Sequence, residues 1–161
     1  MTKRIDVAAL PALAGTLYPS PFDLPCRARE RTKLCDAAGL TQFGVNLCRL
    51  PPAFGRASAI STLSATSSSI FVSGELVLVT NDGEETLRAG DAAGFPRNDA
   101  NGHCFQNCSD HDAQILEIGT RVPDETAYHS DIDMVSPPRG KPAIYTRRDG
   151  TPYEDIKRRG P

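Results

Sequence analysis

From Leu40 onward the chain is written in short runs of alternating character. Phe43, Val45 and Leu47 alternate with Gly44, Asn46 and Cys48, the two-residue period of a strand with one buried face. Pro51-Pro52 closes that run, since proline cannot donate to a sheet ladder. Residues 56–64 and 67–73 are compatible with strands through their Ile, Thr, Phe and Val, although serine dilutes the signal. Residues 75–80, Glu-Leu-Val-Leu-Val-Thr, read as a strand, and Asn81-Asp82-Gly83 supplies residue types that tolerate positive φ in a tight hairpin turn. A return strand over 84–88, a turn at Ala89-Gly90-Asp91, and strands over 92–96, 102–107 and 113–120 complete the series, with Ser109 to Asp112 as the last turn. About eight short strands at this spacing predict a sandwich or barrel.

Both flanks break the pattern. Pro11, Pro19, Pro21 and Pro25 leave room before residue 38 for one short helix over 6–10, with Asp6 as its N-cap. After Arg121 the chain turns irregular again, through Pro137-Pro138 and Asp149-Gly150-Thr151-Pro152. The organisation expected is an N-terminal arm over 1–38, a β-barrel over 39–121 and a C-terminal arm over 122–161, within one structural domain.

Composition narrows the class without naming a function. The 161 residues are 39% hydrophobic and 24% charged, with thirteen Pro, thirteen Gly and no Trp, which argues against a helical bundle. The longest uncharged run, 57–74, is too rich in Ser and Thr for a membrane span. An acid follows the N-terminal basic residues before any apolar stretch can form, so no export signal is expected. Five cysteines, Cys26, Cys35, Cys48, Cys104 and Cys108, are odd in number and too few for a disulfide framework. Reduced thiols and a cytoplasmic location follow as expectations. From residue 139 onward seven Lys and Arg face three acids. That basic tail is either solvated or laid along a protein surface, and without interleaved aromatics it does not suggest nucleic acid.

At Gly90 the chain begins to resemble a known family. Gly90, Pro96, Gly102, His103 and Asn107 fall in the pattern G-x5-P…G-H-x3-N, the second motif of the cupins. Gly74-Glu75-Leu76, with about fifteen residues separating Gly74 from Gly90, resembles the end of the first. The Asp131-x-Asp133 and Asp149 to Tyr153 segments resemble the trailing region of single-domain cupins. The resemblance implies an all-β, double-stranded β-helix (jelly-roll) barrel. It also implies a homodimer, with the arms packed across a partner.

The family's first motif, G-x5-H-x-H-x3–4-E-x6-G, implies two histidines and a glutamate that join the second-motif histidine around one divalent metal. An H-x-H pair on a strand points both imidazoles to one side. Counting from Gly55 places Ser61, Leu63 and Ser67 where His, His and Glu belong, and His103 alone keeps its type. Hydroxyl and isobutyl groups do not replace imidazole and carboxylate as ligands. No metal of the usual kind is therefore expected. A rebuilt divalent site would have to combine His103 with Cys104, Cys108, His111, His129 or Glu117, and alternation turns Cys104 away from the face of His103.

Two functional classes follow. One is a metal-free barrel binding a small polar molecule, sugar-like or acid-like, with Ser61, Leu63, Ser67, His103 and Phe105 as the ligand-binding candidates and no nucleic acid or membrane partner. The other is an enzyme of the sugar-phosphate isomerase kind, with His103 and Glu117 as candidate catalytic residues. Glu117 lies in the run Ile115-Leu116-Glu117-Ile118. Facing inward it would be the acid paired across from His103; facing outward it would be an ordinary solvated carboxylate. Asn107 reads as a residue that fixes the following turn, and His103 either serves a ligand or bonds within the barrel, to Asn107 or to water.

Overall fold

The structure, a computed structural model, describes residues 4–52, 66–123, 125–129, 131–138, 141–142 and 144–154, and the backbone of 60–62. In chain order it contains β1 (Ala12–Ala14), β2 (Glu30–Lys33), α1 (Leu34–Ala37), β3 (Phe43–Leu50), β4 (Ile60–Thr62), β5 (Ser67–Ser73), β6 (Glu75–Thr80), β7 (Gly83–Arg88), β8 (Ala92–Phe95), β9 (Cys104–Gln106), β10 (Ala113–Thr120) and β11 (Ala127–His129). A strand falls in each of the eight stretches expected from the sequence, although of the stretch 56–64 only 60–62 lies within the described residues. The N-terminal helix is a single 3-10 turn, Val7–Ala9, and Asp6 makes no side-chain cap to it.

The strands form a six-stranded sheet in the order β1-β2-β3-β10-β5-β8, a three-stranded sheet β7-β6-β9 and a pair β11-β4. Every pairing is antiparallel. The two larger sheets close on a core of Cys48, Leu50, Phe71, Leu76, Leu87, Ala113 and Ile115. Phe71 of β5 meets Phe105 of β9 edge to face at 5.4 Å, a geometry favoured by the ring quadrupoles. This is a cupin-type jelly-roll barrel.

Both arms belong to the barrel. The N-terminal segment lays β2 along the edge of β3 and β1 outside it, covering an edge that would otherwise expose unpaired backbone groups. Tyr18 and Cys26 from this segment, and Met134 from the C-terminal one, are buried in the same core. Two cations of the C-terminal stretch lie on their own chain: Arg148 donates to the carbonyl of His129 at 2.9 Å, and Arg147 stacks over Tyr153 at 4.7 Å.

Turn chemistry explains the motif glycines. Gly74 links β5 to β6 at φ +74°, and a Cβ there would stand 2.7 Å from the carbonyl oxygen of Asp112. Neither the torsion nor the space admits a side chain. In the β6–β7 hairpin only Gly83 takes positive φ, while Asn81 and Asp82 do not, so the strain-tolerant pair expected in that turn is one glycine. Asn107 fixes the last turn as expected. Its amide donates to Leu50 O at 2.9 Å and His111 O at 2.7 Å, and its oxygen accepts from the backbone and hydroxyl of Ser109.

His129 is fully buried, edge-on to Tyr18 at 5.1 Å, and its Nδ1 has no hydrogen-bond partner. Burial pulls its pKa down to about 4, so the folded protein holds it neutral.

Two predictions follow from this packing. Gly74→Ala is expected to cost about 2–4 kcal/mol, the sum of a left-handed alanine and an overpacked contact, read as a lower urea midpoint with unchanged slope. For His129, neither state carries the proton above pH 6.5. Between there and about 4 the unfolded chain takes it up first, so stability falls as pH falls, by up to about 1.4 kcal/mol per pH unit. Thermal unfolding of His129→Gln across that range should show a correspondingly flatter dependence, and an unchanged slope would count against a neutral buried imidazole.

Candidate functional site

Residues in register across the six-stranded sheet share a face. One inward row runs Arg31, Cys48, Ile115 and Phe71. The next runs Lys33, Asn46, Glu117, Ser69 and Ala93, and a third Gly44, Gly119, Ser67 and Phe95. These rows line a cavity of about 710 Å³, and the arms close its far wall with Thr16, Tyr18, Pro137 and Tyr145. Gly44 and Arg121 both line it, and a Cβ on Gly44 would come within 3.3 Å of the Arg121 side chain.

Glu117 faces inward. Its Oε2 lies 2.8 Å from Arg31 Nη2, with both side chains about a third exposed, at 30% and 27%. Burial alone would raise the carboxyl, but Arg31, Arg29 and a hydrogen bond from Cys48 outweigh it and hold the group below its ordinary value. Glu117 in turn keeps the Arg31 guanidinium charged. Burial, and then the Glu117 charge, push the Cys48 thiol up to about 12, so Cys48 is a donor and not a nucleophile. At the mouth Asp36 pairs with Arg121 and, at 3.5 Å, with Lys33.

His103 lies on the opposite side of the cavity, its ring stacked on Phe95 with centroids 3.3 Å apart and planes 3° apart. Burial pulls it down to about 4, which leaves a neutral imidazole with one N–H donor and one acceptor. It makes no bond to Asn107, whose amide is already committed to the Leu50 and His111 carbonyls.

Of the residues singled out in the sequence, His103, Glu117, Ser67 and Phe105 line this one cavity, and so does the buried Cys104, which alternation alone turns away from it. Ser61 pairs through its backbone with Tyr128 of β11, and Leu63 lies outside the described residues. Cys108 and His111 are exposed, His111 against Asp110 at 2.6 Å, and His129 is enclosed beside Tyr18. Among the described residues no three His, Cys, Asp or Glu side chains form a group able to hold a metal ion. The described donors that share the cavity with His103 are serine hydroxyls, Cys104, Glu117 held by a guanidinium, Asp36 paired with Arg121 and Lys33, and Glu125, and no three of them come together as a mononuclear centre needs.

Reading the first 38 residues as an arm missed Arg29, Arg31 and Lys33, all of which line the cavity. The signal was present: Arg27, Arg29, Arg31 and Lys33 alternate with Ala28, Glu30 and Thr32, a strand period carried by cations in place of apolar residues.

Replacing Arg31 by Met is expected to move the Glu117 pKa upward, because burial then acts against fewer opposing charges. An NMR titration of the Glu117 side-chain carboxyl reads this directly. Stability at neutral pH should fall by about 1–2 kcal/mol, the cost of a half-exposed pair, and the deficit should shrink as the carboxyl protonates.

No functionally curated protein matches the chain in sequence. The cupin domain family Cupin_2 matches residues 67–119. A crystal structure described as a sugar phosphate isomerase from a cupin superfamily, from Silicibacter pomeroyi DSS-3, is 37% identical, with 96% of this chain and 100% of that one covered and a TM-score of 0.87. A crystal structure from Acidithiobacillus ferrooxidans, provisionally named a sugar phosphate isomerase, is 21% identical over 83% of this chain and 82% of that one, at a TM-score of 0.64. The polyketide cyclase RemF from Streptomyces resistomycificus is 18% identical over 74% and 80%, at 0.55. The latter two share the fold alone. With the second-motif residues Gly90, Pro96, Gly102, His103 and Asn107 placed around this barrel and a relative aligned from end to end, the chain belongs to the cupin superfamily.

Proposed function

We propose that the barrel binds a small, oxygen-rich molecule of the sugar or hydroxy-acid class, and does so without the mononuclear metal of the family. The observation that carries this reading is the convergence of an ionised Glu117–Arg31 pair, a neutral His103 and the hydroxyls of Ser67 and Ser69 on one cavity of about 710 Å³. A carboxylate accepts from sugar hydroxyls, a guanidinium and an imidazole N–H donate to their oxygens, and serines do both. The volume suits a ligand of metabolite size.

A second reading, catalysis of an aldose–ketose isomerisation, is favoured by the name of the 37%-identical relative. The same residues would carry it. Glu117 as carboxylate would take the proton from the carbon beside the carbonyl, and the freed pair would form the enediolate double bond. The His103 N–H would hydrogen-bond the oxygen that gains charge. The proton of the adjacent hydroxyl passes to that oxygen, and return of the abstracted proton to the former carbonyl carbon completes the shift with no net change in atoms or electrons.

Both readings are tested on chelator-treated protein by ligand-observed NMR with a panel of aldoses, ketoses, sugar phosphates and hydroxy acids. Saturable binding without metal, weakened at least about tenfold in Glu117→Gln through loss of a charge-assisted acceptor, is the expected result. Binding that appears only with one equivalent of Mn, Fe, Ni or Zn would overturn the metal-free reading. For catalysis, incubation in deuterated water should place deuterium at the carbon beside the carbonyl of a bound aldose. Its absence with every ligand that binds removes the isomerase.

A further inference from the structure

Strand β2 and the residue before it send Arg29, Arg31 and Lys33 into the cavity, because side chains two apart on a strand share a face. Two of the three cations are committed to acids. Arg31 holds Glu117 at 2.8 Å, and Lys33 shares Asp36 with Arg121 at the mouth. Arg29 differs: among the described residues no carboxylate lies within ion-pairing distance of it. Its Nε is buried without a hydrogen-bond partner, and so is the Nε of Arg31. Tyr18 lies in the field of both guanidinium groups and lines the same wall.

We infer that Arg29 and Arg31 form an oxyanion subsite, the place where the barrel's ligand carries a phosphate or carboxylate group. Buried guanidinium nitrogens left without acceptors cost free energy, and a planar fork is matched in shape by the oxygens of just these two groups. Arg29 supplies charge that no ion pair among the described residues commits, although it acts at longer range on Glu117. Arg31 supplies geometry, since its Nη2 is held at 2.8 Å by Glu117, which fixes the plane of the guanidinium. The Glu117 carboxylate is also what keeps the two ends of the ligand apart: it repels an anion from its own side and accepts hydroxyls there. The ligand therefore lies with its anionic group toward Arg29 and the N-terminal arm, and its hydroxyl-bearing carbons toward Glu117 and His103.

This inference rests on the proposal that the barrel binds a small oxygen-rich molecule, and its test is separable from that proposal. The probes are inorganic phosphate and malonate, titrated into the whole protein by calorimetry at fixed ionic strength, with Arg29→Gln, Arg29→Lys and, as a control on β7, Arg88→Gln. Saturable binding of one probe is expected in the wild type and in Arg88→Gln. It should weaken at least about tenfold in Arg29→Gln, as the loss of one charged hydrogen-bonding fork implies. Arg29→Lys keeps the charge and loses the fork, so it should fold and bind with intermediate affinity. Tighter phosphate assigns a phosphate ester, and tighter malonate a carboxylate. Failure of both probes to bind, or equal binding by wild type and Arg29→Gln, overturns the subsite. Neutral sugars that still bind the wild type and are lost in Glu117→Gln would leave the barrel reading standing in that event. Anion binding that survives while every neutral sugar fails would instead keep the subsite and remove that reading.

Discussion

Strand β10 is hydrogen-bonded along both edges, to β3 on one side and β5 on the other, and its eight residues determine which face of each neighbour points into the barrel. Ala113, Ile115 and Glu117 face inward; Leu116 and Ile118 face out. A slip of one residue would exchange Glu117 for Leu116 in the cavity and drive Ile115 out of the core. Three constraints hold the register. Ile115 is packed to 1% exposure, Asn107 ties the turn before β10 to the end of β3 at Leu50, and the backbone of Ala113 lies so close to Gly74 that no Cβ fits between them. The irregularity between Gln114 and Ile115 on the β5 side absorbs the offset that this close approach imposes.

Given that register, the electrostatics of the cavity follow from which charges are placed together. Glu117 sits in a position where burial favours the neutral acid, yet Arg31 and Arg29 reverse the outcome. The pair is half-exposed, so its contribution to stability is modest, on the order of 1 kcal/mol. Its larger consequence is chemical. A fixed carboxylate and a fixed guanidinium present opposite polarity within one small volume, and Cys48 beneath them is held as a thiol, pushed up to about 12. Across the cavity His103 remains neutral because burial is opposed only by the more distant charges of Glu117 and Asp99.

Much of this was legible in the residues. Alternation over residues 43–48, the apolar runs of the later strands and glycine at the tight positions made the barrel strands readable, and the G-H-x3-N spacing placed His103 and Asn107. The elements that escaped are β1, β2, α1 and β11, of three or four residues each. β1 and β11 are too short to carry a periodicity of their own and are stabilised by the strands they pair with. In β2 the inward face is cationic, so a search for apolar alternation passes over it. The orientation of Glu117 could not be read because Ile115, Leu116 and Ile118 make both faces of β10 apolar; only the pairing with β3 and β5 decides between them. Whether Arg147 and Arg148 are solvated or laid along a surface could not be read because their partners, the Tyr153 ring and the His129 carbonyl, are brought to them by the bridges between Tyr128, Val135, Thr146 and Pro152.

The positions that would bear a metal centre in related barrels and the cationic strand are connected physically. A divalent ion held near His103 and Glu117 would share the cavity with Arg29 and Arg31. At an effective dielectric near 20, a divalent ion about 6 Å from one guanidinium is opposed by roughly 5 kcal/mol. With Ser67 in place of a carboxylate, the offsetting attraction is reduced. On the proposed reading the two features support each other: arginines on the inner wall are tolerable where no cation is held, and the carboxylate they stabilise is left for the ligand. Recognition in the proposed site then runs through guanidinium, carboxylate and hydroxyl groups. Its specificity would depend on the N-terminal strand as much as on the strands that surround His103.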